Sequence, residues 1–441
     1  MYTKLKTLSF IPFVTLMNIL LVHTSFADSS PINAIPLPVG SGARALGQGG
    51  AFIAVADDAT AASWNPGGLT QLERPEFSLV GSFLSVQQDF NPVSTGLSLG
   101  NEGISWSDLN YASVAYPFKV CGKNLVAALN YQQKYDFHTH FDFNQTLAGT
   151  GDNVSTDFKS KGGVGALTPA ISLQVIPKLS FGIAVNYYTD EFFGNYAWRE
   201  TYQTRSKSPY FTKSSDESDT FKNFQAVNVT AGMLMDVWEK EDKHLTFGAV
   251  FNSPYSANID RTIDSVSSIT PNGETTTESS THSREHLKVD YPASLGAGLG
   301  FRYNDALSFS MDITWTNWST FQQKDELGVK TRPLGGAEMN RKIDDTYAVK
   351  FGTEYLLFRE KMIIPVRGGL FYDPRPSLGN PTDVYGFSVG SGITFKRFSI
   401  DGAYQFRRAN NADGEDFGSA FNGTHFDLNE HLFLASVIVY F

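Results

Sequence analysis

Residues 307–316 read Leu307-Ser308-Phe309-Ser310-Met311-Asp312-Ile313-Thr314-Trp315-Thr316. Large apolar side chains fall on every second position, with serine, aspartate and threonine between them. Side chains of a β-strand point to opposite faces in turn, so this stretch predicts a strand with one apolar and one polar face. The neighbouring segments repeat the pattern. Leu295, Ala297, Leu299 and Phe301 alternate with Gly296, Gly298 and Gly300. Tyr347, Val349, Phe351, Thr353 and Tyr355 alternate with Ala348, Lys350, Gly352 and Glu354. Phe398, Ile400, Gly402, Tyr404 and Phe406 alternate with Ser399, Asp401, Ala403 and Gln405. A soluble sandwich shows the same alternation as a membrane barrel, so the pattern gives an all-β class and leaves the architecture open.

Connection lengths separate the two. About 14 strands can be placed, the first near 77–86 and the last near 430–441. Short connections include Ile176-Pro177-Lys178, Asn304-Asp305-Ala306, Phe358 to Lys361 and Lys396-Arg397. They alternate with long ones near 87–108, 136–168, 190–222, 252–292, 317–344, 373–383 and 406–429, rich in Ser, Thr, Asn, Asp and Gly. Short turns at one end, long loops at the other and an even strand number predict a 14-stranded antiparallel transmembrane β-barrel. The last strand carries Phe433, Ala435, Val437, Val439 and a terminal Phe441, which resembles a signal for barrel-insertion machinery.

Composition agrees. Hydrophobic residues are 41% of 441, too few for a helical membrane protein but ample for a barrel that shows lipid only alternate residues. The formal net charge of -10 argues against a broad nucleic-acid surface. The single cysteine, Cys121, excludes an intramolecular disulfide.

At the N-terminus, Lys4 and Lys6 precede an apolar run from Leu8 to Val22, and Ser25-Phe26-Ala27 follows. The run is short for a spanning helix, and small residues stand where a signal peptidase reads. Residues 1–27 are therefore expected to be a signal peptide and 75–441 the barrel, lodged in the outer membrane of a Gram-negative cell.

Residues 28–74 do not read as strand. They hold Gly42-Ala43-Arg44-Ala45-Leu46-Gly47-Gln48-Gly49-Gly50, Ala54-Val55-Ala56-Asp57-Asp58-Ala59 and Trp64-Asn65-Pro66-Gly67-Gly68-Leu69. Small residues let backbone pack on backbone, and Asn65-Pro66 and Gly67-Gly68 are breakers. A short helix is expected over Ala54 to Ala62. A compact segment ahead of the first strand is expected to fold into the lumen as a hatch.

These stretches resemble the long-chain fatty acid outer-membrane transporter family (FadL/TodX-like). The resemblance rests on Arg44-Ala45, Gly49-Gly50-Ala51, Ala56-Asp57-Asp58-Ala59 and Asn65-Pro66. It extends to Tyr291-Pro292-Ala293, to Asp312 through Ser319, and to Arg367 through Pro376. The family's usual Asn-Pro-Ala is here Asn65-Pro66-Gly67. The resemblance implies a 14-stranded barrel with an N-terminal hatch and no cofactor. It also implies passive uptake of long-chain fatty acids or other hydrophobic compounds. Loops capture the ligand, the lumen binds it, and it leaves sideways through a gap beside the third strand. The expected surroundings are outer-membrane lipid and lipopolysaccharide, the expected assembly a monomer.

The hatch motif comprises Arg44, Gly49, Gly50, Asp57, Asp58, Asn65 and Pro66. Candidate ligand-binding residues are Phe52 and Trp64 in the hatch, with Arg302, Lys350 and Arg367 at lumen-facing positions. One of these three cations is expected to meet an acid head group, unless they pair with Glu354, Asp312 or Asp401. Phe192, Phe193, Tyr196 and Trp198 cluster after the fifth strand and read as an interfacial girdle or a capture surface.

Other readings are weaker. A barrel that carries or anchors a partner protein would use the same hatch motif. A surface hydrolase would need a paired serine and histidine, and no Gly-x-Ser-x-Gly elbow is found. Asp57-Asp58 suits hydrogen bonds within the hatch better than a catalytic pair. His138 and His140 near Asp136 would share a face only on a strand, and no metal is expected. Gly42–Gly50 lacks the Gly-Lys-Ser/Thr ending of a phosphate loop. Asn410 through Asp416 departs from calcium-loop spacing.

Overall fold

The computed structural model describes residues 37–38, 40–91, 97–99, 101–146, 152–190, 198–272, 275–417 and 424–441. The expected signal peptide lies outside them, as do Phe192, Phe193 and Tyr196. Fourteen strands form the barrel: β1 Glu76–Asn91, β2 Asn101–Val120, β3 Lys123–Asp136, β4 Gly163–Ile176, β5 Leu179–Thr189, β6 Phe211–Lys240 and β7 Lys243–Asn252, then β8 Ser294–Arg302, β9 Leu307–Thr316, β10 Thr346–Phe358, β11 Ile363–Tyr372, β12 Val384–Thr394, β13 Phe398–Asp413 and β14 His425–Tyr440. Each pairs antiparallel with the next. β14 returns to β1 in register from Glu76↔Tyr440 to Asn91↔His425. Closure satisfies the backbone within the sheet, as lipid requires.

Burial decides what alternation left open. On β9, Ser310 and Asp312 are 2% exposed, whereas Met311 and Ile313 are 51% and 47% exposed. Leu299, Leu370, Val389 and Ile400 are likewise exposed. The apolar face looks outward to lipid, the reverse of a sandwich.

Turns of two to four residues join the strands at one end, at 121–122, 177–178, 241–242, 303–306, 359–362 and 395–397. The Phe441 amide donates to the Pro75 carbonyl there at 3.0 Å. Short turns mark this as the periplasmic end.

The other end corrects the sequence reading. Much of the expected loop is strand: Thr139–Thr146, Asn153–Lys161, Trp198–Lys207, Tyr255–Pro271 and Thr277–Tyr291, with the first part of β6 among them. These pair into a second antiparallel sheet. Their Ser/Thr-rich composition hid a continuing alternation, because one face is solvated and the other carries Trp198, Glu200, Phe158, Ser160, Asp219 and Phe221. β6 belongs to both sheets. Its register slips between Lys222 and Gln225, and Asn223 there takes a left-handed φ of 58°.

The second sheet folds across the barrel mouth. One core unites Val164 of β4 with Ile343 and Leu378, which lie before β10 and after β11. Since β4 and β11 are on opposite sides of the ring, this core roofs the opening. A second core joins Phe141 and Phe158 of the sheet to Val384, Ala409, Phe426 and Leu428 of β12 to β14. Within the roof, Tyr188 stacks on Tyr255 and Tyr255 on Tyr291, with centroids 4.7 and 4.8 Å apart. The Tyr135 and Tyr255 hydroxyls meet at 2.5 Å. Trp198 is 3% exposed and stacked between Phe137 and Phe221, so it is neither a girdle residue nor an exposed capture surface.

The N-terminal segment forms helices at Ala43–Gly47 and Ala61–Trp64 and a 3-10 helix at Pro66–Gln71. The helix expected over Ala54 to Ala62 is therefore displaced. Asp58 accepts from the Thr60 amide at 2.8 Å, a local turn that competes with helix. The segment touches strands round the ring, from Tyr111 of β2 through Ser180 of β5 and Asp312 of β9 to Ser388 of β12, so it sits within the barrel. Glycines admit it. A methyl group at Gly248 or Gly352 would stand 2.5 Å from the carbonyl oxygen of Ile53 or Gln48.

Candidate functional site

The motif residues of the N-terminal segment act as fasteners. Arg44 pairs with Asp57 and reaches Glu354 on β10 at 3.2 Å. Asp58 receives the Thr60 amide and hydroxyl. Gly49 and Gly50 turn the chain at φ 69° and 74°, a region that favours glycine. The Gly49 amide donates to Ser388 Oγ at 2.7 Å. Asn65 Nδ2 donates to the carbonyls of Ile53 and Met233 at 2.8 and 2.9 Å, and its Oδ1 caps the Gly67 amide ahead of the helix begun by Pro66. A methyl group at Gly67 would lie 3.1 Å from the Gly232 backbone and from Asn65 Oδ1, a tight fit.

Among the described residues, two cavities border the segment. The periplasmic one, about 700 Å³, is bordered by Arg44, Asp57, Arg302 and Glu354. The one beneath the roof is about 70 Å³. Its apolar walls are Leu46, Trp64, Leu84, Trp106, Phe371 and Leu432.

Charge gathers along one wall of the upper cavity. Arg375 Nη2 lies 2.6 Å from Glu430 Oε1 as an ion pair, and Arg407 Nε lies 3.4 Å from Glu430 Oε2. Arg407 also meets Asp373 Oδ2 at 3.5 Å. Lys350 Nζ is held more loosely, 3.9 Å from Asp373.

The structure thus sorts the predicted ligand contacts. Trp64 and Lys350 line the upper cavity. Phe52 is fully buried, edge-on to Trp64 at 6.0 Å, and lines neither cavity. Arg302 is exposed at the periplasmic end. Arg367 is closed by Glu354 at 2.6 Å and Asp401 at 2.5 Å. Sequence reasoning missed Trp106, Arg407 and Glu430. Trp106 and Arg407 fell in stretches read as loop; Glu430 stood at the start of the last strand as read from sequence and lies within β14.

The wall is incomplete beside β3. Pairing of β2 with β3 begins at Val120↔Lys123 and stops at Tyr111↔Gln132, leaving Gln133–Asp136 without β2 partners. Bulges flank the break, at Asn110 on β2 and Lys134 on β3. Leu37 and Pro38 pair with Asp136 and Tyr135 instead. Asn110 Nδ2 donates to the Gly40 carbonyl at 3.0 Å.

Asp108, Asp136 and His138 cluster beside this break, their ligand-type atoms within 4.8 Å of one another. The Asp136 oxygens already accept from Trp106 Nε1 at 2.8 Å, Gln133 Nε2 at 3.3 Å and the His138 amide at 2.8 Å. His140 faces Asp157 instead, so the two histidines are not brought together.

A closed barrel with an outward apolar face, an inserted N-terminal segment and a lumenal cavity defines an outer-membrane transport protein. The chain matches the family model of outer membrane protein transport protein (OMPP1/FadL/TodX) over residues 20–427, and it belongs to that family. The family comprises transporters of hydrophobic compounds, not enzymes. The chain is similar in fold to a Pseudomonas aeruginosa FadL homologue, with 15% identity, 92% of this chain and 99% of the other covered, and a TM-score of 0.63. It is similar to the Ralstonia pickettii toluene transporter TbuX at 16% identity, 91% and 98% coverage and TM-score 0.55. For the Pseudomonas putida toluene transporter TodX the values are 12%, 92%, 99% and 0.56. No curated protein sequence matches the chain.

Proposed function

We propose that this transporter takes up amphipathic acids with long apolar tails, long-chain fatty acids being the substrate class. The observation that carries the reading is Lys350. It borders the upper cavity, opposite apolar walls, and its nearest carboxylate stands at 3.9 Å. An ammonium so loosely paired keeps donors for a ligand carboxylate, and a charge-assisted bond in a desolvated pocket is strong. Leu84, Trp106 and Leu432 offer the tail apolar surface. Residues 40–72 serve as the hatch beneath the site. The break beside β3, crossed by Leu37–Pro38, supports sideways release, and the self-closed barrel supports a monomer.

The test is uptake of labelled oleate and of toluene by cells lacking their own transporter, with and without this protein. Oleate uptake that rises, and falls again in Lys350→Ala, supports the reading. A rise with toluene alone would keep transport and overturn the acid substrate.

A further inference from the structure

Glu200 and Asp219 face each other across neighbouring strands of the roof. Both are fully buried. Glu200 Oε2 accepts the Tyr202 hydroxyl at 3.0 Å, and the Trp198 indole N–H also bears on its carboxylate. Asp219 Oδ2 accepts Arg261 Nε at 3.1 Å and also Nη2, and its Oδ1 has no donor. Arg261 reaches Glu285 as well, at 3.5 Å. Glu217 lies on the same face of β6 as Asp219, two residues away. On its other side Glu200 is paired with Ser160, which takes the Trp198 indole N–H at 3.0 Å. Among the described residues, then, Asp219, Glu217, Glu285, Tyr202 and Arg261 are the titratable groups round Glu200. Of the four carboxylates, Asp219 and Glu285 contact the Arg261 guanidinium.

Opposed buried carboxylates repel, and a proton on one of them relieves both the repulsion and the cost of burying charge. Burial and the Asp219 charge hold Glu200 well above the ordinary carboxylate range. Burial and Asp219 also push Glu217 up to about 7. The next inward pair beside Glu200↔Asp219 is Trp198↔Phe221, stacked at 4.1 Å in the core that roofs the mouth.

We propose that Glu200 and Asp219 form a proton-operated latch: with Glu200 protonated, the strand Trp198–Lys207 stays paired to β6 and the roof is shut, and loss of that proton parts the strands and uncovers the aromatic core to the outside. The sign follows from linkage. A carboxyl whose folded-state pKa is raised stabilises the shut form at low pH, and that stability is lost as pH rises through the raised value. An uncovered Trp198–Phe221 pair would present apolar surface where a hydrophobic ligand arrives.

The experiment is hydrogen–deuterium exchange on the full-length barrel in detergent at a pH just above the ordinary carboxylate range and at the highest pH at which the barrel stays folded, corrected for intrinsic exchange. Peptides covering 198–207 and 211–222 are expected to lose about tenfold or more in protection at the higher pH, with β8 and β9 unchanged. Glu200→Gln, neutral and of the same shape, should stay protected at both. In Asp219→Asn the transition should move to lower pH, since the repelling charge is gone. Equal wild-type protection at both pH values would overturn the latch. So would a Glu200→Gln variant that opens like wild type, or an unmoved midpoint in Asp219→Asn. Unheated electrophoretic mobility confirms that each barrel is folded. The readout uses no ligand, so it stands or falls apart from the uptake assay.

Discussion

The Asp312 carboxylate on β9 accepts the backbone amide of Phe52 at 2.6 Å and that of Ile53 at 2.9 Å through the same oxygen. Hydrogen bonds to a charged group contribute about 1.5–3 kcal/mol each. Asp312→Ala is expected to loosen residues 40–72 without unfolding the barrel. Asp312→Asn keeps an acceptor oxygen and should loosen them far less. Limited proteolysis of the unheated barrel checks this, as cleavage within 40–72 that rises in the alanine variant only.

Gly369 on β11 lies against the backbone of Gln48 and Gly49 so closely that a methyl group would overlap them. Valine suits a strand better than glycine does, so Gly369→Val should leave the barrel intact and unseat the segment. Planar-bilayer conductance is expected to rise from near zero to an open-pore level. A variant as closed as wild type would show that something other than this segment seals the lumen.

Arg367 and Lys350 should separate into two phenotypes. Arg367→Ala leaves Asp401 a buried carboxylate without its cation and Glu354 with Arg44 alone, a loss on the order of 3–5 kcal/mol that a urea midpoint would register. Among the described residues Lys350 makes one ion-pair contact, with Asp373 at 3.9 Å, and stands across the sheet from Asp312. Lys350→Ala should leave the midpoint near wild type and weaken oleate binding by roughly tenfold or more, with toluene unaffected. Equal oleate affinity in the two proteins would remove Lys350 from the site.

Asp416, in the connection after β13, accepts the Leu378 amide at 2.8 Å and so ties down the β11–β12 connection. Burial pushes its carboxyl up to about 7. A raised carboxyl contributes stability that is complete below its ordinary value and lost as pH rises through about 7. Exchange protection at Leu378 should therefore fall between about pH 5 and about pH 8. Asp416→Asn should flatten that dependence.

Period-two alternation and sorted connection lengths carried the fold. Leu307, Phe309 and Met311 against Ser308, Ser310 and Asp312 mark the strand, and turns such as Pro177-Lys178 mark the periplasmic end. This information is local, because a strand's two faces are written in consecutive residues. Family membership was legible in Arg44, Asp57-Asp58 and Asn65-Pro66 for a related reason: these side chains fasten the segment largely to itself, Arg44 to Asp57, Asp58 to Thr60 and Asn65 to Gly67. The second sheet was hidden because serine and threonine on its wet face resemble loop, while Trp198 and Phe221 are identifiable as core only once the sheet folds over the mouth. The site was decided by tertiary structure alone. Alternation placed Arg302, Lys350 and Arg367 on one lumenal face and could rank none above the others. Glu354 and Asp401, from β10 and β13, close Arg367, and the height of Arg302 along the wall sets it at the periplasmic end. A cation's availability depends on carboxylates brought from other strands, and the sequence of one strand does not contain them.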